Sequence, residues 1–377
     1  MPKNANRMGT VRKRADGRWE GRYTAPDGKQ RSVYGKTQKA ATEALRAAQR
    51  DIDGGTWLQP STMTMDAWLT AWLRDYQSHT TGRTVTTYAS EINCHMRPVF
   101  GSVRLVDFSA VHVRRMIAAM TDAGLSPTTI RHVTVVLSAS MRDAVKDGLI
   151  KSNPVTGVKA PKPAPLTYTI IDREQIPAFV DAIQATACPD ALLFLLLTGA
   201  RSGEARGLKW QDIDWDAGTV HIQRQLYVPS YDRAEFRPPK DGEVRRIHVA
   251  PEVLDLLRRH RKAQAADRLR ASAWIETDFT RDLVFRQPNG RPLGTEYLDR
   301  AIRRVRDALN LPGLRVHDLR HSYAVAALRS GVDVKTVQHN LGHRSAAMTL
   351  DIYAAYTDDA GRTGAEKLSA YLSEALH

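Results

Sequence analysis

Residues 315–356 read RVHDLRHSYAVAALRSGVDVKTVQHNLGHRSAAMTLDIYAAY. Apolar positions recur at helical spacing on both sides of Gly331, so the stretch predicts two helices near 317–330 and 333–341 and a third starting around Ile352. His317 and Arg320 lie three apart and share one face of the first helix. There an imidazole can exchange a proton while a guanidinium holds an anion. Leu341-Gly342 fits a helix end with glycine as the cap, which sets His343 at a loop edge. Tyr353 follows ten residues later, with Tyr356 one turn further on as its competitor. For either tyrosine the plain alternative is a half-buried core ring.

Upstream, TGARSGEARGL places Arg201 just after an apolar helix, between Gly199 and Ser202-Gly203. Its guanidinium can project from a rigid base, although in isolation an N-terminal helix residue paired with Glu204 is the better reading. Lys240 sits in RPPKDGEVRRI, where Asp241-Gly242 predicts a turn between strands 219–228 and 244–250. An exposed turn lysine is the competing reading. Together these residues supply what a phosphodiester attacked by an oxygen nucleophile requires. Preorganised cations stabilise charge on the non-bridging oxygens, arginine forks donate in pairs to phosphate, and a tyrosine oxygen can form a stable phosphate ester.

The rest of the chain suits such a reaction. Its 377 residues imply two or three domains. The net charge is +14, and residues 1–50 hold 13 Lys/Arg against 4 Asp/Glu, so +9 of it lies there. That balance points to a polyanionic partner, usually nucleic acid, with a solvated face as the plain alternative. Residues 9–35 predict three strands separated by Asp16-Gly17 and Pro26-Asp27-Gly28-Lys29. Arg12, Lys13, Arg14, Arg18, Arg22 and Arg31 interleave there with Trp19, Tyr23 and Tyr34. A helix over 37–51 follows, with Thr37 as its cap. A basic sheet backed by one helix can lay strands in a DNA groove; the aromatics can equally pack on the helix.

Residues 61–150 predict four or five helices, started at Thr64, Ser109 and Ser126-Pro127. SNPVTGVKAPKPAP, residues 152–165, carries four prolines and reads as a semi-rigid linker. The fold class expected is multidomain α+β. A small three-stranded sheet with one helix (1–55) leads into an all-α bundle (61–155), then a mainly α domain with a small antiparallel sheet (165–377).

Other chemistries fit less well. Cys94 and Cys188 are the only cysteines, which excludes a disulfide framework or a cysteine-rich zinc site and suits a reducing cytoplasm. His317 and His321 have zincin spacing, but Asp318 stands where the glutamate would be and no third ligand is in view. Gly35-Lys36-Thr37 imitates the end of a P-loop, but Gln30 replaces its first glycine, leaving no sign of ATP use. The start, MPKNANRMGTVRKR, lacks a signal-peptide core, and the longest apolar run, Ala191–Leu197, is too short to span a membrane.

Taken in order, Arg201, Lys240, His317-x-x-Arg320, His343 and Tyr353 resemble the tyrosine recombinases, specifically phage-type integrases, with ARSGEARGL, HDLRHSYA and LGHRS as the strongest matches. The resemblance favours Tyr353 over Tyr356 by its distance from His343, while Ala354-Ala355 depart from the family's usual small polar residue and histidine. It implies a recombinase that cuts and rejoins DNA through a 3′-phosphotyrosyl link, with no cofactor or metal. It further implies an N-terminal arm-site domain, a core-site-binding domain and a homotetramer on DNA, with the C-terminal stretch AEKLSAYLSEAL docking on a neighbour. A host DNA-bending protein and a directionality factor belong to the same expectation. The alternatives are a non-catalytic DNA-binding regulator on the same scaffold and a transposon-type integrase.

Overall fold

Three short antiparallel strands open the chain, β1 (Thr10–Lys13), β2 (Trp19–Thr24) and β3 (Gln30–Gly35), hydrogen-bonded in that order. In this computed structural model the described residues are 9–55, 57, 61–80, 82–164, 168–230, 233–239, 244–354 and 369. They fall into two units, Met1–Pro165 and Leu166–His377.

In the first unit, α1 (Gln38–Asp53) begins where the Thr37 hydroxyl accepts the Ala40 N–H at 3.1 Å. Strand alternation sorts the sheet into two faces. Val11, Gly21 and Val33 stand opposite one another and face α1, whose Ala41 and Leu45 are buried. Arg12, Glu20 and Tyr34 form the neighbouring row on the open face, as do Thr10, Arg22 and Ser32.

A helical bundle follows, with α2 (Met65–Tyr76), α3 (Gly82–Glu91), α4 (Arg97–Phe100), α5 (Ala110–Asp122) and α6 (Pro127–Lys146). Thr64, Ser109 and Ser126 cap α2, α5 and α6, as their sequence positions imply. Between α3 and α4 the helical backbone widens into a π-turn over Ile92–Met96. Pro98 explains it: proline has no N–H for the carbonyl four residues back, and its ring crowds that carbonyl, so the backbone widens. The bundle core is Leu69, Ile92, Met96, Phe100, Met116, Ile130 and Leu137, each under 2 % exposed.

The second unit is built from α7 (Ile176–Gln184), α8 (Pro189–Thr198) and α9 (Ser202–Arg206), then β4 (Ile213–Asp214), β5 (Thr219–Ile222), β6 (Gln225–Ser230), β7 (Arg233–Arg237) and β8 (Arg245–His248). Helices α10 (Pro251–Arg270), α11 (Thr295–Ala308), α12 (Val316–Arg329), α13 (Val334–Leu341) and α14 (Ala346–Ala354) complete it. Helix α8 is apolar nearly all round and runs through the core, against Phe179, Phe285 and Leu319 among others.

The strands correct one expectation. Residues 219–228 and 244–250 do not form a two-stranded hairpin turning at Asp241-Gly242. β5 pairs with β8 in a sheet of order β4-β5-β8, while β6 leaves to pair with β7 in a separate ribbon. Pro238-Pro239 closes β7, because prolines cannot donate to a ladder. Lys240 therefore belongs to the connection from β7 to β8, and it lies outside the described residues.

Candidate active site

Two left-handed glycines shape the region around His317, Arg320 and His343. Gly199 (φ +64°) ends α8 and Gly342 (φ +62°) ends α13. A Cβ on Gly199 would lie 2.4 Å from the Tyr323 ring and 2.7 Å from Leu341, so only glycine lets α8 stop against α12 and α13. The two caps turn their backbone carbonyls toward the arginines. Arg320, 2 % exposed on α12, donates through Nη1 to the Gly199 carbonyl at 2.7 Å and through Nη2 to the Leu341 carbonyl. Arg201, at the start of α9, donates through Nη2 to the Gly342 carbonyl at 2.8 Å. Residues 199–201, 320 and 341–343 are thus one locus, although they span 145 positions of sequence.

A buried carboxylate underlies it. Glu204 is 1 % exposed and takes Arg201 Nη1 at 3.1 Å, together with a fork from Arg245 at 3.1 and 2.7 Å. Burial alone would raise its pKa; Arg245 and then Arg201 outweigh that and hold it lowered. Arg245 is itself buried at the start of β8, and its Nε donates to the Asn340 carbonyl at 2.9 Å. Pairing of Arg201 with Glu204 was anticipated as the competing explanation, and it is present; it orients the guanidinium while another edge holds Gly342. Arg245 was not singled out from sequence. Its signal was available in the alternation of RRIH, which puts Arg245 on the buried side with Ile247. A buried arginine on a core strand demands a buried anion.

The histidines divide into two environments. His317 is exposed at its edge, yet enough protein surrounds the ring for desolvation, then the Arg320 charge, to lower its pKa. His321 meets it edge to face at 4.7 Å between centroids and is pushed down to about 4, mainly by burial and then by His317. His343 is 6 % exposed, and its Nδ1 pairs with Thr349 Oγ1 at 2.9 Å. Burial, Arg320 and Arg201, in that order, bring it down to about 3, so it is neutral at pH 7. Either tautomer allows one ring nitrogen to serve Thr349 and leaves the other for a ligand. No group of three or more His, Cys, Asp or Glu among the described residues is placed to hold a metal.

Thr349 belongs to α14, which packs on α12 and α13. Tyr353 is one helical turn beyond Thr349 in the same helix, so the two positions share a face. Tyr356 and the stretch AEKLSAYLSEAL lie outside the described residues.

Five sequence-derived positions, Arg201, His317, Arg320, His343 and Tyr353, are thus carried by α9, α12, the α13 cap and α14. Residues 169–359 match the phage integrase family and residues 64–120 match the phage integrase N-terminal SAM-like domain. The chain belongs to the phage integrase family. A putative prophage phiRv2 integrase of Mycobacterium tuberculosis is 30% identical over 91% of this chain and 90% of its own length. A XerC-like tyrosine recombinase of Caldanaerobacter subterraneus is 24% identical over 86% of this chain and 87% of its own. Among solved structures, the Tn1549 transposon integrase in complex with a circular intermediate DNA is similar with a TM-score of 0.71. It covers 81% of this chain and 99% of that one at 22% identity, which is a likeness of fold. This integrase is a tyrosine recombinase, an enzyme of DNA recombination.

The six basic residues named in the N-terminal sheet are not equivalent. Arg12 and Arg22 share the open face. Lys13 pairs with Trp19 and Arg31 with Tyr23, so both belong to the rows facing α1. Arg31 is held by Asp27 at 2.8 Å and by the ring of Trp57. Arg14 lies over exposed Tyr34, and Arg14 and Arg18 flank Asp16 at the β1–β2 turn.

Proposed function

We propose that this integrase cuts DNA by attack of Tyr353 on a scissile phosphate, forming a 3′-phosphotyrosyl link that a free 5′-hydroxyl later reverses. The bond broken is the one from phosphorus to the 5′-oxygen; the bond formed is from phosphorus to the tyrosine oxygen. The phosphoester persists in the protein link, so no nucleotide hydrolysis is needed to rejoin. Arg201 and Arg320 hold the non-bridging oxygens, His317 assists transfer of the tyrosine proton, and neutral His343 donates a hydrogen bond to the phosphate. Lys240 protonates the leaving 5′-oxygen.

One observation carries this reading: Arg201 and Arg320 are fixed to the Gly342, Gly199 and Leu341 carbonyls around one locus beside His343. Donors held before the substrate arrives need no reorganisation in the transition state. A regulator that only binds DNA needs neither a neutral buried histidine there nor a tyrosine one turn beyond its partner.

The domain assignment belongs to the same proposal. Residues 1–55 bind arm sites, 61–155 bind the core site, and 165–377 carry the chemistry. Four protomers assemble on two duplexes. A host DNA-bending protein and a directionality factor assist, in a bacterial cytoplasm. Among the described residues no helix is long and apolar enough to cross a membrane. The Tn1549 relative was captured on a circular intermediate DNA, which supports duplex DNA as the substrate here.

Nicked duplexes that trap the covalent intermediate test the chemistry. Wild type should yield a protein–DNA adduct resistant to denaturant, and Arg320→Ala should reduce its rate by roughly 10²-fold or more, the scale of losing a preorganised donor to a developing charge. Wild-type binding without any adduct would favour the regulator.

A further inference from the structure

Glu20 is an acidic residue near the centre of the most basic part of the chain, on the open face of the β1-β2-β3 sheet, and it is 2 % exposed. Its carboxylate takes Ser32 Oγ at 2.7 Å, Arg12 Nε at 2.8 Å and Arg22 Nε at 3.2 Å. Both arginines are engaged through Nε. Their Nη atoms have no hydrogen-bond partner among the described residues, and both side chains are about half exposed, at 56% and 41%.

We propose that Glu20 is a positioning residue for sequence reading: it clamps Arg12 and Arg22 by their Nε atoms so that each presents its terminal nitrogen pair, at a fixed angle, to acceptors on a DNA base edge. The proposal rests on residues 1–55 being a DNA-binding domain. Its ligand chemistry is a pair of adjacent acceptors. Guanine O6/N7 in the major groove offers one such pair, and two phosphate oxygens offer another.

Charge decides between them. A site built for phosphate gains from every cation and loses from a carboxylate beneath it. Here Glu20 cancels one of the two positive charges it holds. What it provides in return is geometry: the side chains of Arg12 and Arg22 start from different strands and would otherwise sample many rotamers. A fixed fork fits a phosphate as well, but there it carries no sequence information; on a base edge, where the two acceptors lie in one plane, the same fixed plane selects the base. Tyr34, exposed beside Glu20 in the register and with Arg14 over its ring, widens the open face.

The experiment uses the full chain and a random 30-base-pair duplex library. Sequences retained by wild type are compared with those retained by an Arg12→Ala/Arg22→Ala double variant. A motif that vanishes in the double variant is the one read by the sheet. Affinities of wild type and Glu20→Gln are then measured for that selected duplex and for the unselected library across a salt series. Glu20→Gln should bind the unselected library more tightly, with a steeper salt slope, because one negative charge has gone. It should bind the selected duplex at least roughly tenfold less selectively, on the scale of losing one aligned fork.

Unchanged selectivity in Glu20→Gln would overturn the positioning role. An equal loss on all duplexes would place Arg12 and Arg22 on phosphates instead and also overturn it. If the double variant retains every motif, Arg12 and Arg22 read no base and the proposal is overturned; unchanged binding of every duplex by a chain lacking residues 1–55 would instead mean that the DNA-binding reading of that segment fails. If Glu20→Gln melts well below wild type, Arg12→Lys/Arg22→Lys replaces it. That variant keeps the charge and lacks the planar fork, so it should retain library binding and lose the motif; a retained motif would again overturn the proposal.

Discussion

Arg320 and His343 show how a residue's neighbours set its chemistry. Arg320 satisfies two buried carbonyls, so Arg320→Ala leaves both without a partner and should cost about 2–4 kcal/mol of stability in addition to its effect on cleavage. Urea unfolding at pH 7 measures this; a loss under 0.5 kcal/mol would show that the carbonyl bonds are not holding the locus. His343 makes a pH prediction. Its pKa is about 3 in the folded chain and near 6.5 when unfolded, and that of His321 is about 4. Both are lowered, so below pH 6.5 the unfolded chain binds protons that the folded chain refuses. Stability is therefore complete above pH 6.5 and falls as pH drops, through about 4 for His321 and about 3 for His343. Thermal melts should follow that course, and His343→Gln should flatten it. A wild-type melting temperature constant from pH 7 to pH 5 would contradict the burial of both rings. At this scale the sequence was most legible for polar residues in short ordered motifs, such as HDLRH and LGHRS. It was least legible for Arg245, because a buried arginine on a strand has no local pattern beyond alternation, and its partner Glu204 is 41 residues away.

At the scale of elements, the caps were readable and the strand partners were not. Thr37, Thr64 and Ser126 each accept an N–H three residues on, an interaction wholly local in sequence. Thr64→Ala should lower the stability of the helical bundle by about 1 kcal/mol, read from the shift of its urea midpoint. The β5–β8 pairing, by contrast, spans the whole β6–β7 ribbon, and hydrophobic alternation marks a strand without naming its neighbour. Two proline residues after β7 were the available sign that it could not run on into β8. The glycine caps belong to this scale too. Gly199→Ala needs a left-handed alanine and drives a methyl into Tyr323 and Leu341, so it should unfold or strongly destabilise the second unit, by about 2–4 kcal/mol. Near-wild-type melting of that variant would mean that α8 can end elsewhere.

For the molecule as a whole, charge and chain length set the expectations. A net charge of +14 on 377 residues, concentrated at the N-terminus, implies DNA binding dominated by counterion release. Affinity for duplex DNA should fall by roughly 10³-fold or more between 50 and 200 mM salt if six or more phosphates are contacted. A salt-independent affinity would remove the polyanion argument. Composition and turn chemistry were enough to foresee a multidomain α+β class, a small sheet at the start and helices beyond it. The two units meet in sequence at Pro165, the end of the proline-rich stretch 152–165. What no local pattern could give is that residues near 200 and near 340 meet, through Arg201 on the Gly342 carbonyl and through Arg320 between the Gly199 and Leu341 carbonyls.

The central claim is that Tyr353 is the nucleophile, and covalent trapping tests it most directly. Nicked duplexes made from the DNA flanking the gene would be incubated with wild type, Tyr353→Phe and Tyr356→Phe, then denatured and resolved by size. Wild type and Tyr356→Phe should each form an adduct, and Tyr353→Phe none despite unchanged DNA binding. An adduct that persists in Tyr353→Phe and disappears in Tyr356→Phe would contradict that claim and move the attacking oxygen one turn along.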